Sequence, residues 1–182
     1  MSQLSIKKGI VFAIGLILLV MSIGSAVLWS VKVSLLNTLH SYSTVILPNS
    51  VALESSLTEG IQLQSAARGL VLNPQDASAR KNIESALVKF VKNTELLEQT
   101  ARREEVRQEA REWRRTWQEK LVPLAQLIIK ELDAGNVERA KQLTTGDLVA
   151  NWRDLKVQIE KRIKARTESN ESRSSCIYSR RP

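Results

Sequence analysis

The sequence predicts an all-α protein in which an N-terminal transmembrane helix continues into an antiparallel up-down-up-down four-helix bundle. Three observations carry that prediction. Residues 9–31 form an apolar run of 23 residues without one charged side chain. The remainder of the chain holds few helix breakers, namely Pro48, Pro74, Pro123, a terminal Pro182 and four glycines. Between those breakers, apolar residues recur at spacings of three and four, the period of one helix face.

The apolar run, bounded by Gly9 and Val31, sets the organisation. As a helix it is about 34 Å long, enough for the ~30 Å hydrocarbon core with modest tilt. In lipid a lone segment satisfies its backbone polar groups only as a helix. Lys7, Lys8 and the terminal amine precede it, whereas after Lys32 no Lys or Arg occurs until Arg68. The positive-inside rule therefore places residues 1–8 in the cytoplasm and the bulk outside. Trp29 stands where an aromatic belt residue anchors the outer interface. The competing reading is a cleaved leader with small residues at 22–26. Such a hydrophobic region is usually only about 7–15 residues long, so the length favours an uncleaved anchor.

Composition excludes several classes. One cysteine rules out an internal disulfide framework, and one histidine rules out a His-rich metal site. No Gly-rich phosphate loop, HExxH pair or nucleophile-base arrangement is present, so the reading is a protein without catalytic residues, metal or cofactor. The net charge of +8 suggests nucleic acid at first sight, but it is concentrated at the ends. Residues 32–100 carry six basic and six acidic groups, while residues 161–182 carry seven basic groups against Glu168 and Glu171. Chain outside the membrane rarely meets nucleic acid. The basic end therefore reads as solvated or as facing anionic lipid headgroups.

Helix 1 of the bundle, residues 32–72, starts its stripe at Leu35 and Leu39, has Pro48 as a kink, and resumes through Leu53, Leu57, Ile61, Gln64, Arg68 and Val71. Asn73 reads as the N-cap of helix 2, with Pro74 at its first position and Asp76 completing the cap. Helix 2 carries the clearest heptad: Ile83, Leu87, Phe90, Thr94, Leu97 and Ala101. A turn is placed in the charged stretch 102–107. Helix 3 follows with Val106, Ala110, Trp113, Trp117, Leu121, Leu124 and Ile128, kinks at Pro123, and ends at Gly135 in the left-handed conformation. Asn136 is the expected cap of helix 4, whose stripe is Ala140, Thr144, Leu148, Trp152, Leu155, Ile159 and Ile163. The bundle domain is thus residues 32–166. Residues 167–182 lack periodicity and read as a polar, disordered tail. Short turns between long helices make sequence neighbours antiparallel.

Three features of this chain resemble the N-terminal sensory part of methyl-accepting chemotaxis receptors, a four-helix-bundle ligand-binding domain after a first transmembrane helix. They are the uncharged span at 9–31, YSTVILP at 42–48, and ELDAGNVERA at 131–140. The resemblance covers about residues 5–165, on loose patterns. It implies a homodimeric extracytoplasmic sensor in signal transduction and chemotaxis that reports ligand by small displacements of its membrane helices. Receptors of this kind bind amino-acid carboxylates with arginines on the outer half of helix 1 at the dimer interface. By that likeness of position, Arg68 is a candidate ligand residue. The pattern departs from the family near residue 177, where a second span is expected and Cys-Ile-Tyr-Ser-Arg-Arg-Pro stands instead. The expectation is a fragment or interrupted frame lacking the second span and the cytoplasmic signalling region.

Other residues carry two readings each. Arg103, Arg107, Arg111 and Arg115 form a row of like charges at i, i+4, unfavourable unless something anionic relieves it. Glu104 and Glu112 are near enough to make it a solvated face; otherwise it is a site for an amino or organic acid. Trp113 and Trp117 read as core on an apolar stripe, with a pocket lining as the alternative. Arg68 itself can pack its stem while its head reaches water. Against the sensor stands a second function class, a single-span helical tether or adaptor in the envelope whose bundle binds only a protein partner. Membrane lipid is the partner common to both.

Overall fold

The computed structural model describes residues 3–178, and every regular element among them is helical. The chain divides into two units, Met1–Thr44 and Val45–Pro182. The first contains α1 (Gln3–Ser41). The second contains α2 (Leu47–Leu72), α3 (Ala77–Thr100), α4 (Glu104–Thr116), α5 (Val122–Asp133), α6 (Val137–Leu143) and α7 (Val149–Tyr178).

In α1 the large apolar side chains are open: Leu16, Leu19, Leu28 and Trp29 are each more than half exposed, as is Val31. Among the described residues one helical run, Gly15–Leu72, is long and apolar enough to cross a membrane; its apolar window has a mean hydropathy of 2.1 and none of it is buried. Lys32 Nζ lies 5.6 Å over the Trp29 ring, which places a cation-π pair at the end of the apolar run.

Three widened helical turns interrupt the ladder, at Tyr42–Ile46, Trp117–Leu121 and Thr144–Leu148. The first two lie just before Pro48 and Pro123. A helical proline lacks an N–H and its ring strikes the carbonyl four residues back, here Thr44 and Glu119. Widening the turn clears that clash; at the second site the Val122 N–H reaches five residues back to the Trp117 carbonyl. The expected kinks at both prolines are therefore extra-residue turns. With these turns included, the second unit is built of four helical segments: α2, α3, α4 with α5, and α6 with α7.

Their connections differ from expectation in three places. Asn73 does not cap α3. Its N–H bonds back to Gly69 O at 2.9 Å, which makes it the last link of α2. Asp76 caps instead, its Oδ1 accepting from the Ser78 and Ala79 N–H groups at 2.9 and 3.0 Å, and the helix starts at Ala77 rather than Pro74. At the next break Arg103 flanks α4, inside the predicted charged turn. At Gly135 (φ 79°) the turn closes with Gly135 N to Leu132 O at 3.0 Å and Asn136 N to Glu131 O at 2.8 Å, the pair of bonds that ends a helix on a left-handed glycine. Asn136 flanks α6, but its side chain donates to Glu131 Oε2 at 2.8 Å and caps nothing. The third difference is at the end of the chain. Helix α7 runs to Tyr178 where a disordered tail beyond Arg166 was expected, because no Pro or Gly stands between Gly146 and Tyr178 to stop it. The remainder of that tail, 179–182, lies outside the described residues.

The core is one cluster shared by the four segments. The heptad of α3 is inside at Ile83, Phe90, Thr94 and Leu97, with Leu87 partly covered. So is the α6–α7 stripe from Ala140 through Ile159. Helix α2 corrects the prediction. Its buried face is Ala52, Leu53, Ser56, Gly60, Leu63, Ala67 and Leu70, whereas Ile61 and Arg68 are exposed and Leu57 and Val71 only partly covered. The small residues are inside because they admit large ones. The Trp152 ring occupies the space where a side chain at residue 60 would start, its Cη2 2.0 Å from an ideal Cβ there.

Candidate functional site

Gly60 belongs to a layer to which each segment contributes one residue. Phe90 of α3 stacks on Trp117, with ring centroids 3.9 Å apart and planes 8° from parallel. Trp152 meets Trp117 edge-on, at 6.1 Å and 81°. The indole N–H groups are satisfied inside: Trp117 Nε1 donates to the Leu87 carbonyl at 3.2 Å and Trp113 Nε1 to Gln158 Oε1 at 3.1 Å. Trp113 and Trp117 are 2% and 0% exposed. They are core residues, and the pocket-lining alternative for them falls.

Beside this layer lies Glu59, 7% exposed, whose Oε2 has no hydrogen-bond partner among the described residues. Burial pushes its carboxyl above the usual range, while the Lys89 charge pulls it back in part. Sequence reasoning passed over Glu59 because one Glu on a mixed helix face carries no signal of burial.

The row of four arginines is not one site. Arg111 bonds Glu104 Oε1 at 2.7 Å and Glu98 Oε1 at 3.1 Å, and Arg114 bonds Glu98 Oε2 at 2.6 Å. Hydrogen bonds from Arg114 and then Arg111 hold the Glu98 carboxyl below its ordinary range. Arg107 sends its Nε to the Ala101 carbonyl at 2.7 Å and lies 3.5 Å from Glu104. The anion that relieves this part of the row is therefore Glu98 of the neighbouring helix, together with Glu104; the expected Glu112 makes no such pair among the described residues. Arg115 is exposed on α4. Arg68 is exposed on α2, in line with Thr58, Ile61, Ser65 and Leu72 at spacings of three and four.

Arg103 faces elsewhere. A cleft of about 240 Å³ opens where α2 starts, α3 ends, α4 starts and α7 passes. Leu53, Leu97, Ala101 and Val106 line it with hydrocarbon. Arg102, Arg103, Arg162 and Arg166 are the charged residues of its lining. Arg162 is held by Glu109 through two hydrogen bonds, and Arg166 donates to the Ile46 carbonyl at 2.6 Å. The Glu109 bonds, with the Glu105 charge behind them, raise the already high pKa of Arg162 further. Of these four, sequence reasoning named only Arg103. The excess of positive charge in residues 161–182 was the available signal, but it did not say that Arg162 and Arg166 converge on the α3–α4 break.

No protein-family profile matches the chain, and no curated protein or solved structure matches it.

Proposed function

We propose that the chain is the extracytoplasmic ligand-sensing part of a transmembrane chemoreceptor, held by residues 9–31 in the bacterial inner membrane with its N-terminus in the cytoplasm. One observation carries this reading: a single exposed helix of membrane length precedes four helical segments that share one core. Lys7 and Lys8 before that helix and Trp29 and Lys32 at its other end support the orientation.

The bundle is read as antiparallel, up-down-up-down. Supporting that direction, Asn49 at the start of α2 meets the Thr100 carbonyl at the end of α3, while Gly69 near the end of α2 faces Ala79 near the start of α3. Likewise Arg80 pairs with Asp133, and Glu109 early in α4 pairs with Arg162 late in α7. Short connections of this kind force neighbours to run in opposite directions.

A homodimer along α2 belongs to the same proposal. Its exposed stripe of Thr58, Ile61, Ser65, Arg68 and Leu72 has the repeat of a helix seam. Ala66 and Ala67, small residues that a seam would favour, face the core instead.

Carbonate extraction combined with protease digestion of right-side-out spheroplasts tests the anchor and orientation. The chain is expected to stay in the membrane fraction while residues 32–182 are digested. Release by carbonate, or protection of those residues, refutes the proposal. Joining the chain to the second membrane helix and output region of a chemoreceptor, in a motile strain without other receptors, tests sensing. The hybrid is expected to respond to at least one amino or organic acid.

A further inference from the structure

Glu59 is an ionisable group placed where the bundle gives its charge almost no water. It is 7% exposed on α2, next to Gly60, whose missing side chain leaves room for the Trp152 ring. Its Oε2 has no hydrogen-bond partner among the described residues. Two donors close by in the fold are engaged elsewhere: Ser56 Oγ donates to the Ala52 carbonyl at 2.8 Å, and Trp117 Nε1 to the Leu87 carbonyl at 3.2 Å. Asn49 of α2 meets Thr100 of α3 and Gly69 meets Ala79, so Glu59, midway between those two contacts, stands level with Lys89 and Phe90. Lys89 is exposed, and its charge reaches the Glu59 carboxyl. The other elements packed on α2 turn their charges outward: Lys130 on α5, Lys141 on α6, Asp147 on the third widened turn, and Arg153 and Asp154 on α7 are all exposed.

A buried carboxyl without a partner is lower in free energy neutral than ionised, because the charged form has lost its water and gained no compensating bond. An ionised Glu59 is relieved only by water or by a cation. Both lie on the same side, at the edge of α3 where Lys89 meets solvent. On the Gly60 side the Trp152 ring stands edge-on against Trp117, which is stacked on Phe90, and closes that way out. The strain of ionisation therefore falls on the packing of α2 against α3.

We propose that Glu59 makes the α2–α3 joint proton-responsive: the neutral acid keeps it closed, and loss of the proton to solvent opens it locally until the carboxylate reaches water and Lys89. This rests on the sensing reading above and gives it a stimulus, the acidity outside the membrane. The response is confined to the middle of two helices, while the core between α5 and α7 stays packed.

The test is hydrogen exchange followed by mass spectrometry on the full chain in phosphatidylcholine nanodiscs, at about pH 5 and about pH 7.5, with each rate corrected for the intrinsic rate at that pH. Residues 52–63 and 83–94 should show a several-fold loss of protection at the higher pH, and residues 122–133 none. Glu59→Gln, which keeps the shape of the neutral acid, should hold the protected state at both pH values. Lys89→Gln removes the charge that steadies the carboxylate and should enlarge the loss; its exposed position leaves folding intact, so it tests the joint even where Glu59→Gln folds poorly. Equal protection at both pH values in the wild type, an equal loss in residues 122–133, a loss that persists in Glu59→Gln, or a smaller loss in Lys89→Gln overturns the proposal. A chain that is no receptor would fail the extraction or hybrid-receptor experiment and still show this exchange pattern, so the two readings fail separately.

Discussion

The same substitution at two glycines of α2 should change stability in opposite directions. At Gly60 a new Cβ would stand 2.0, 2.2 and 2.3 Å from three atoms of the Trp152 ring. That ring cannot step aside, because Trp152 is 3% exposed and its edge contacts Trp117, which is itself stacked on Phe90. Overpacking of this kind costs about 1–3 kcal/mol and more where rigid rings meet. Against it stands the gain of about 1 kcal/mol from replacing a helical glycine by alanine. The overlap dominates, and Gly60→Ala should destabilise by about 2 kcal/mol. At Gly69 the nearest atom to a new Cβ is Ala79 Cβ at 4.0 Å, an ordinary contact, so only the helix term remains. Gly69→Ala should stabilise by about 0.5–1 kcal/mol. The assay is urea unfolding of the full chain in mild detergent, followed by far-UV circular dichroism. Combining Gly60→Ala with Trp152→Phe separates steric overlap from other causes. The smaller ring should make the glycine substitution about 1 kcal/mol less harmful than in wild type. If Gly60→Ala is as stable as wild type, or if Trp152→Phe leaves its cost unchanged, the packing of this layer is not as described.

Glu59 is a carboxyl raised in the folded state, so the folded protein binds its proton more tightly than the unfolded chain, and stability falls as pH rises from about 4.5 through the folded value. Glu59→Gln should remove that fall, which unfolding curves across pH 4 to about 8 would reveal; an unchanged slope refutes it. Glu98 and Asp133 have lowered carboxyls and act with the opposite sign, giving stability above the unfolded value that disappears as pH falls through the folded one. Glu98→Gln should therefore flatten the acid limb of the same curves. Glu109→Gln breaks a two-bonded pair between α4 and α7 and should cost about 1 kcal/mol, read by urea midpoint, with no loss if the pair is solvent-separated. Cysteine at Ser65 or Arg68 should cross-link between copies, whereas cysteine at the buried Ala66 should not; the reverse pattern would place the dimer seam elsewhere.

Much of this fold is legible one residue at a time. The uncharged run at 9–31 requires only a count of apolar residues and the length of a helix. Gly135 as a helix terminator follows from its freedom at positive φ, and the stripes of α3 and α7 follow from apolar side chains on otherwise polar helices. Even the widened turns leave a trace. The buried residues Trp113, Trp117, Leu121 and Ala125 step by four, as do Ala140, Thr144, Leu148 and Trp152. In a regular helix each step of four overshoots the face by about 40°, so three in succession demand an extra residue in the turn.

What required the tertiary structure is everything decided by fit between helices. On α2 the predicted stripe holds in part, with Leu53 buried and Leu57 and Val71 packed at the edge of the core, but Ile61 and Arg68 are exposed and the face turned inward runs through Leu63 and Leu70 and the small residues Ser56, Gly60 and Ala67. The small face is buried because Phe90, Trp117 and Trp152 fill the space opposite it, a matter of volume across four segments that no single helix records. The burial of Glu59 follows from the same choice, since it neighbours Gly60 on the face turned inward. The arginines divide for a similar reason. Spacing makes Arg103, Arg107, Arg111 and Arg115 one row, but the end of α3 brings Glu98 to Arg111, and α7 brings Arg162 and Arg166 to the cleft beside Arg103. The sequence by itself determined which segments are helical and which end can enter a membrane, because those properties depend on local composition and period. Which helix faces meet, and which charges share a cleft, was decided only by packing, because both depend on distances between residues far apart in the chain.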